Sequence, residues 1–198
     1  MKRGEAKRQA ILDTAYQLFL EQGFEKTSMS EITVQVGGSK ATLYNHFTSK
    51  EELFVECMTA AIDQYVAGSL ASLDLSRDDM EAVLQHFGEN FLQFSCSKEM
   101  IAVRRLMISE AARLEVGMLF LKKISALRER VADYLKANME SGKLRKEDPG
   151  IAANHLRGLL ESEVLEPLLL GVTDTIPEEE KRGAAHRAID AFLRAYAP

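Results

Sequence analysis

The stretch SMSEITVQVGGSKATLYNHF, residues 28–47, constrains this chain more than any other. Ser28 and Glu31 form an S-x-x-E capping box, so a helix is predicted from Met29, with Met29, Ile32 and Val36 on one side. Gly37 and Gly38 end it, because glycine reaches the positive φ that a tight turn between crossed helices needs. Ser39 caps a second helix running from Lys40 to about His46. Ala41, Leu43 and Phe47 supply the apolar contacts of that second helix, while Lys40, Thr42, Tyr44, Asn45 and His46 face outward. A helix-turn-helix whose second helix presents hydrogen-bonding side chains suits a groove of duplex DNA.

The flanks extend the unit. A first helix is predicted over residues 5–22, with Ile11, Ala15, Leu18 and Phe19 as its apolar stripe. Gly23 ends it, which places Phe24 where a Schellman cap brings an apolar residue back onto Phe19. Ser49 and Glu52 repeat the capping box and start a long fourth helix, reaching to about residue 71, with Leu53, Phe54, Cys57, Ala60, Ala61, Gln64 and Tyr65 on its buried side. Lys2 and Arg3 in the tail read either as a solvated end or as a minor-groove arm.

The run T-S-M-S-E-I-T, the glycine pair, S-K-A-T-L-Y-N-H-F and S-K-E-E-L, in that order, resemble the DNA-binding segment of TetR-family regulators. The resemblance covers residues 7–55. It implies a homodimer whose second helix-turn-helix helix enters the major groove, matching a palindromic operator, and a separate helical domain that binds a small-molecule effector. By position, Ser39, Lys40, Ala41, Thr42, Tyr44, Asn45 and His46 face the DNA. Thr27 and Ser28 meet one phosphate at a helix start and Lys50 meets another. Family members usually carry a small residue at the position of Val36 and a branched apolar one at Gly38, so Val36 is expected to fill the space normally filled from position 38. The expected boundary lies after residue 48, with residues 49–198 forming the ligand-binding and dimerisation domain.

Beyond the fourth helix the pattern stays helical. After a polar break at residues 74–79, Met80, Val83, Leu84, Phe87, Phe91 and Phe94 recur at helical spacing, and they suit an ordinary helix-packing core or an apolar ligand cavity equally. A sixth helix is predicted over residues 98–114 and a seventh over residues 117–139. The seventh has Phe120, Ile124, Leu127, Val131 and Leu135 as its stripe, with Lys122, Lys123, Arg128, Glu129 and Arg130 solvated on the other face. Asp148-Pro149 starts an eighth that continues to about Glu166, where Pro167 bends or ends it. The ninth follows Pro177, with Glu178, Glu179 and Glu180 at its positive end.

Arg105-Leu106-Met107-Ile108-Ser109-Glu110-Ala111-Ala112-Arg113, Gly158-Leu159-Leu160 and residues 163–171 resemble the AefR-like branch of the same family. The joint after Arg113 lacks the proline often found in that branch. The resemblance implies a dimer formed through helices 8 and 9, whose apolar stripes (Ala185, Ala188, Ile189, Phe192, Leu193, Tyr196) would otherwise lie exposed. Candidate ligand-lining residues are Phe87, Phe91, Phe94, Met107, Phe120, His155, Leu159 and Glu163. A structural role for His155 and Glu163 is the plainer alternative.

Composition bounds the rest. With 46% hydrophobic residues, four prolines and no strand-length β-branched runs, the expected fold is all-α, about nine helices in 198 residues. The net charge of −5 is uneven: residues 1–50 hold seven Lys and Arg against five Asp and Glu, so the acidity lies in the remainder. Cys57 and Cys96 are far apart and without zinc spacing, which reads as two reduced core thiols, with a redox sensor as the alternative. No apolar run is long enough to span a membrane, so a cytoplasmic protein without membrane contact is expected. A bacterial repressor is therefore the leading expectation, with no cofactor, no metal and no catalytic residues. An enzyme competes weakly, since H-x-x-E at His86 and Glu89 is its nearest motif and no phosphate loop, H-E-x-x-H, E-x-x-H or nucleophile elbow occurs. A third reading keeps the DNA-binding head but gives the body no ligand, leaving a constitutive repressor or architectural protein.

Overall fold

The computed structural model describes residues 3–70, 73, 79–111 and 116–198, with side chains throughout except at residues 3, 61–70, 111, 116–124, 126 and 127. Among these residues the fold is all-helical, with ten helices: α1 (Arg3–Lys26), α2 (Met29–Val36), α3 (Lys40–His46), α4 (Lys50–Leu70), α5 (Met80–Ser95), α6 (Lys98–Ala111), α7 (Val116–Glu140), α8 (Pro149–Glu161), α9 (Leu165–Leu169) and α10 (Glu178–Ala195). They fall into two compact units, residues 1–63 with 102–121 and residues 64–101 with 122–198, so α4, α6 and α7 each run from one unit into the other.

In the first unit, the Arg3–Lys26 run is broken at Gly23, where φ is 80°, a value that a side chain disfavours. The break turns Phe24 back onto Phe19, with ring centroids 5.9 Å apart, as the cap pattern predicts. Phe54 of α4 closes the group edge-on, at 5.1 Å from Phe19 and 5.2 Å from Phe24. Around these rings pack Ile11, Leu18, Ile32, Leu43, Phe47 and Met58, and each such buried side chain contributes about 1.5–3 kcal/mol. Ser28, Ser39 and Ser49 each accept a hydrogen bond from the backbone N–H three residues on. The glutamates of the two capping boxes point elsewhere: Glu31 accepts from Gln22, and Glu52 from Thr48.

In the second unit, α10 packs on α5 and α8 around Leu84, Leu92, Leu135, Leu156, Ile189 and Phe192. Gly88 lets α5 approach α8 and α10 closely, since a Cβ there would lie 3.1 Å from Leu160 Cδ2 and 3.4 Å from Ile189 Cγ1. Asp148 caps α8, with Pro149 in its first turn.

The expected eighth helix is two pieces. Had α8 continued through residue 167, the Pro167 ring would have met the carbonyl of Glu163 and left it without a donor. The chain breaks before that, at residues 162–164, and Pro167 sits inside the first turn of α9, where no N–H is required. The predicted residues on α4 beyond Ala60, the break at 74–78, the joint after Arg113 and the first half of the seventh stripe lie outside the described side chains.

Candidate functional site

The outward face of α3 is built from both ends. Gly37 takes φ 66° and its N–H returns to Val34 O, ending α2, and Ser39 Oγ caps α3. Leu43 and the following Phe47 are buried and hold the helix down. That leaves Lys40, Ala41, Tyr44 and Asn45 exposed and Thr42 and His46 half-buried, with Tyr44 at 48% exposure despite its aromatic ring. Ser28 and Ser39 are exposed beside this face. An exposed tyrosine between polar neighbours is costly as packing and useful as a contact surface.

Two expected phosphate contacts are turned inward instead. Thr27 is 1% exposed and its hydroxyl donates to Gly23 O at 2.8 Å and Leu18 O at 3.3 Å, the carbonyls left open by the glycine break. Lys50 Nζ donates to Phe24 O and Thr27 O, both at 2.9 Å, and lies 4.1 Å from the Phe24 ring centroid. A broken helix end needs donors, and both residues supply them. In this arrangement they position the helix-turn-helix rather than present themselves to a phosphate.

Lys7 does related work that the sequence reading missed. Its Nζ donates to Gly37 O at 2.8 Å and Val36 O at 3.1 Å, and its stem lies over Gly38, where a Cβ would be 3.5 Å from Lys7 Cε. The neighbours within 4 Å of that Cβ position are Lys7 atoms, so the lysine stem, rather than Val36 as expected, takes the space beside position 38. The signal was available, since Lys7 precedes Ile11 by one turn on the apolar stripe. Arg8, ion-paired with Glu56, stands 5.0 Å from the Phe47 ring centroid and steadies the other side of the recognition segment.

The second unit holds a small cavity of about 30 Å³ between α5, α7 and α8, lined by Phe87, Phe91, Arg128, Val131, Ala153, Leu156, Arg157 and Leu160. Of the expected ligand-lining residues, Phe87 and Phe91 are in its wall, and Leu159 is half-buried against the core around it. Phe94 is half-buried one turn further along α5. Met107 lies elsewhere, buried in the core of the first unit, because α6 crosses out of the second unit after Ile101. His155 is exposed, with Nδ1 2.7 Å from the Tyr196 hydroxyl. Glu163 is exposed and accepts from Arg187 Nε at 3.0 Å, a bond that holds its carboxyl below the usual range. Neither His155 nor Glu163 is in the cavity wall, and both stand exposed rather than in the core. The Phe120 side chain lies outside the described residues. Arg128, expected on the solvated face of α7, lines the cavity because it falls one turn before Val131.

Residues 82–198 match the family described as the AefR-like transcriptional repressor, C-terminal domain, and residues 11–57 match bacterial regulatory proteins, tetR family. The chain belongs to the TetR family. Over 87% of its own length and 87% of the other's it is 29% identical to the uncharacterized HTH-type transcriptional regulator YxaF of Bacillus subtilis. It is 35% identical to the HTH-type transcriptional repressor ComR of Escherichia coli over 43% of this chain, and the match spans only 42% of ComR. Among solved structures, a TetR-family regulator from Mesorhizobium loti superposes with a TM-score of 0.91 at 27% identity over the whole of both chains. The flavonoid-responsive regulator FrrA superposes with a TM-score of 0.85 at 31% identity over 98% of each.

A TetR-family chain with this N-terminal match is a DNA-binding transcriptional regulator. Two other expectations change. The stripe of α10 is not exposed: Ala185, Ala188, Ile189, Phe192 and Tyr196 are buried within the unit against α5 and α8. A need to cover that stripe is therefore no argument for a dimer. Burial also pushes the Cys57 thiol well up, so it stays protonated, and Cys96 is buried too, which leaves neither as an accessible thiolate. No described helix is long and apolar enough to cross a membrane, and no group of metal-ligating side chains occurs among the described residues.

Proposed function

We propose that this TetR-family regulator is a homodimeric repressor, released from a palindromic operator by a small, largely apolar effector bound between α5, α7 and α8. The observation that carries the reading is the face of α3: Lys40, Tyr44 and Asn45 stand outward on a helix held down by the buried Leu43 and the following Phe47, while Ala41, expected among its apolar contacts, is exposed with them. In a dimer, two such helices about 34–36 Å apart would enter successive major grooves. Lys40 supplies phosphate affinity, while Thr42, Tyr44, Asn45 and His46 choose bases. Ser28 and Ser39 border the phosphates, and Ala41 leaves room for close approach.

The second copy docks through the outward faces of α8 and α10, where Ile151 is exposed and Leu193 half-buried. A shallow depression beside them, lined by Gly158, Leu165, Leu169 and Leu170, extends the apolar surface. FrrA, whose name records a response to flavonoids, supports an apolar, ring-containing effector.

At about 30 Å³ the cavity is far below the roughly 300–1,000 Å³ of an ordinary ligand site, so binding has to open it. α7 runs from the cavity wall at Arg128 and Val131 back into residues counted with the first unit, which gives an opening movement a continuous helix to act through. The ligand must favour the opened state to release DNA. The same small volume favours a second reading, a cavity that never opens and a repressor without an effector. Genomic-fragment binding selection with purified protein, repeated with hydrophobic compounds, tests both. The proposal expects recovered palindromic fragments that at least one compound releases. Fragments that no compound releases favour the second reading, and a protein selecting no fragment at all contradicts both.

A further inference from the structure

Two cations share the apolar cavity. Phe87, Phe91, Val131, Leu156 and Leu160 form most of its wall, yet Arg128 and Arg157 line it as well, and no acidic side chain is among the described lining residues. A guanidinium beside apolar wall is costly because it stays charged and its buried N–H groups need acceptors. Arg157 has one: it donates to Glu161 Oε2 at 3.3 Å, and with its side chain 52% exposed it marks the solvent end of the cavity. Arg128 differs. Its Nε is buried and has no hydrogen-bond partner. Glu161, the nearby carboxylate, already receives both Arg157 and the buried Ser95 hydroxyl. The cavity thus holds one N–H donor with a formal charge behind it and no acceptor in front of it, a state that a native core avoids unless something else supplies the acceptor.

Building on the effector reading above, we propose that the effector is a compact organic monoanion, an aromatic carboxylate whose ring system packs against Phe87 and Phe91 and whose carboxylate accepts from Arg128. The two phenylalanine rings lie 6.0 Å apart and tilted by 32°, so they offer ring faces and edges to a flat guest. One negative charge fits better than two, because Glu161 already balances Arg157. A compact body fits better than a long one, because the closed cavity is small and each added atom has to part α5 from α8. An arginine fork meets a carboxylate with two parallel N–H donors, and the charged bond is roughly twice as strong as a neutral one. The pairing is a specificity device: a neutral amide isostere offers the buried Nε–H only an uncharged carbonyl, so it forgoes the charge-assisted bond and the second parallel acceptor.

The test is calorimetric titration of the full chain with 2-naphthoate and with its uncharged isostere 2-naphthamide. Wild-type protein is expected to bind naphthoate at least about tenfold tighter than the amide, because only the acid gives Arg128 a charged acceptor. Arg128→Met keeps the apolar volume and is expected to bring the two affinities within about twofold of each other, chiefly by weakening naphthoate. Arg128→Gln, a polar replacement without charge, should behave the same way, and thermal melts of both variants confirm that they fold. Equal affinities in the wild-type protein, a preference that survives Arg128→Met, or failure of both probes to bind each overturns the assignment. The effector reading fails separately: equal binding of both probes together with DNA release would sink the anion and keep the effector, whereas release by no compound in the hydrophobic panel would sink the effector itself.

Discussion

In the first unit, α3 holds Leu43 and the adjoining Phe47 inside and leaves Lys40, Tyr44 and Asn45 outside, whereas in the second unit α10 buries its apolar stripe apart from the half-buried Leu193 and ties outer charges to neighbours, Arg187 to Glu163 and Arg194 to Asp190. The difference lies in where donors are left over. Inside the first unit, Thr27, Lys50 and Lys7 each serve backbone carbonyls at a helix end or turn, so the polar groups of α3 are the ones that remain for a partner. Inside the second unit the leftover donor is enclosed, at Arg128. Under the proposed function, one unit touches something large from outside and the other closes around something small.

Substitutions can break this comparison at either end. The largest expected effect is Phe192→Ala, which opens a void in the second core and removes a ring stacked 4.5 Å from Tyr196. About 3–5 kcal/mol of stability should go, read as a lower denaturation midpoint, and a loss under about 1 kcal/mol would show that α10 is held by something other than its stripe. Next comes Lys50→Met. With its ammonium on two carbonyls and against the Phe24 ring, the loss should be about 1.5–3 kcal/mol, with no change in the salt dependence of DNA binding. A salt slope lower by about 0.9 with unchanged stability would return Lys50 to the phosphate.

Gly38→Val should be smaller still. Its Cβ fits, but the branched methyls displace Lys7 from Val36 O and Gly37 O, and the melting temperature should fall by the equivalent of about 1 kcal/mol. A rise would mean that the Lys7 stem fills the space incompletely. The smallest effect is expected at Glu163→Gln. The Arg187 bond depresses the Glu163 carboxyl, so whatever stability it adds is present above the usual carboxylate range and fades as pH falls through the depressed value. The pair is exposed, and a change within about 0.5 kcal/mol near neutral pH, with effector binding untouched, is the outcome that fits its surface role.

How far the sequence reached follows the same division. Caps are local, so Ser28, Ser39, Ser49, Gly37 and Asp148-Pro149 were legible from three or four neighbouring residues. The α3 face was legible for the same reason. What Thr27 and Lys50 do was not, because the Thr27 hydroxyl turns back across the break at Gly23 to Gly23 O and Leu18 O, and Lys50 reaches Phe24 O and Thr27 O from more than twenty residues later. A basic residue at a helix start near DNA looks the same whether it points in or out. The α10 stripe was visible as a stripe, yet the pattern does not say whether α5 of the same chain or a second copy covers it. Arg128 sat on the apolar side of α7 by its spacing from Val131 and was hidden by the charges that follow it in the chain, Glu129 and Arg130.

The most direct test of the account is selection from randomised duplexes by the wild-type protein and by Asn45→Ala in parallel. The wild-type protein should enrich a two-fold symmetric site, and removing Asn45, exposed on α3 and uninvolved in its packing, should leave the melting temperature unchanged while shifting base preference at symmetric positions by about 1–3 kcal/mol. Enrichment of no sequence, or an identical preference after the substitution, would contradict the claim that the outward face of α3 reads the DNA.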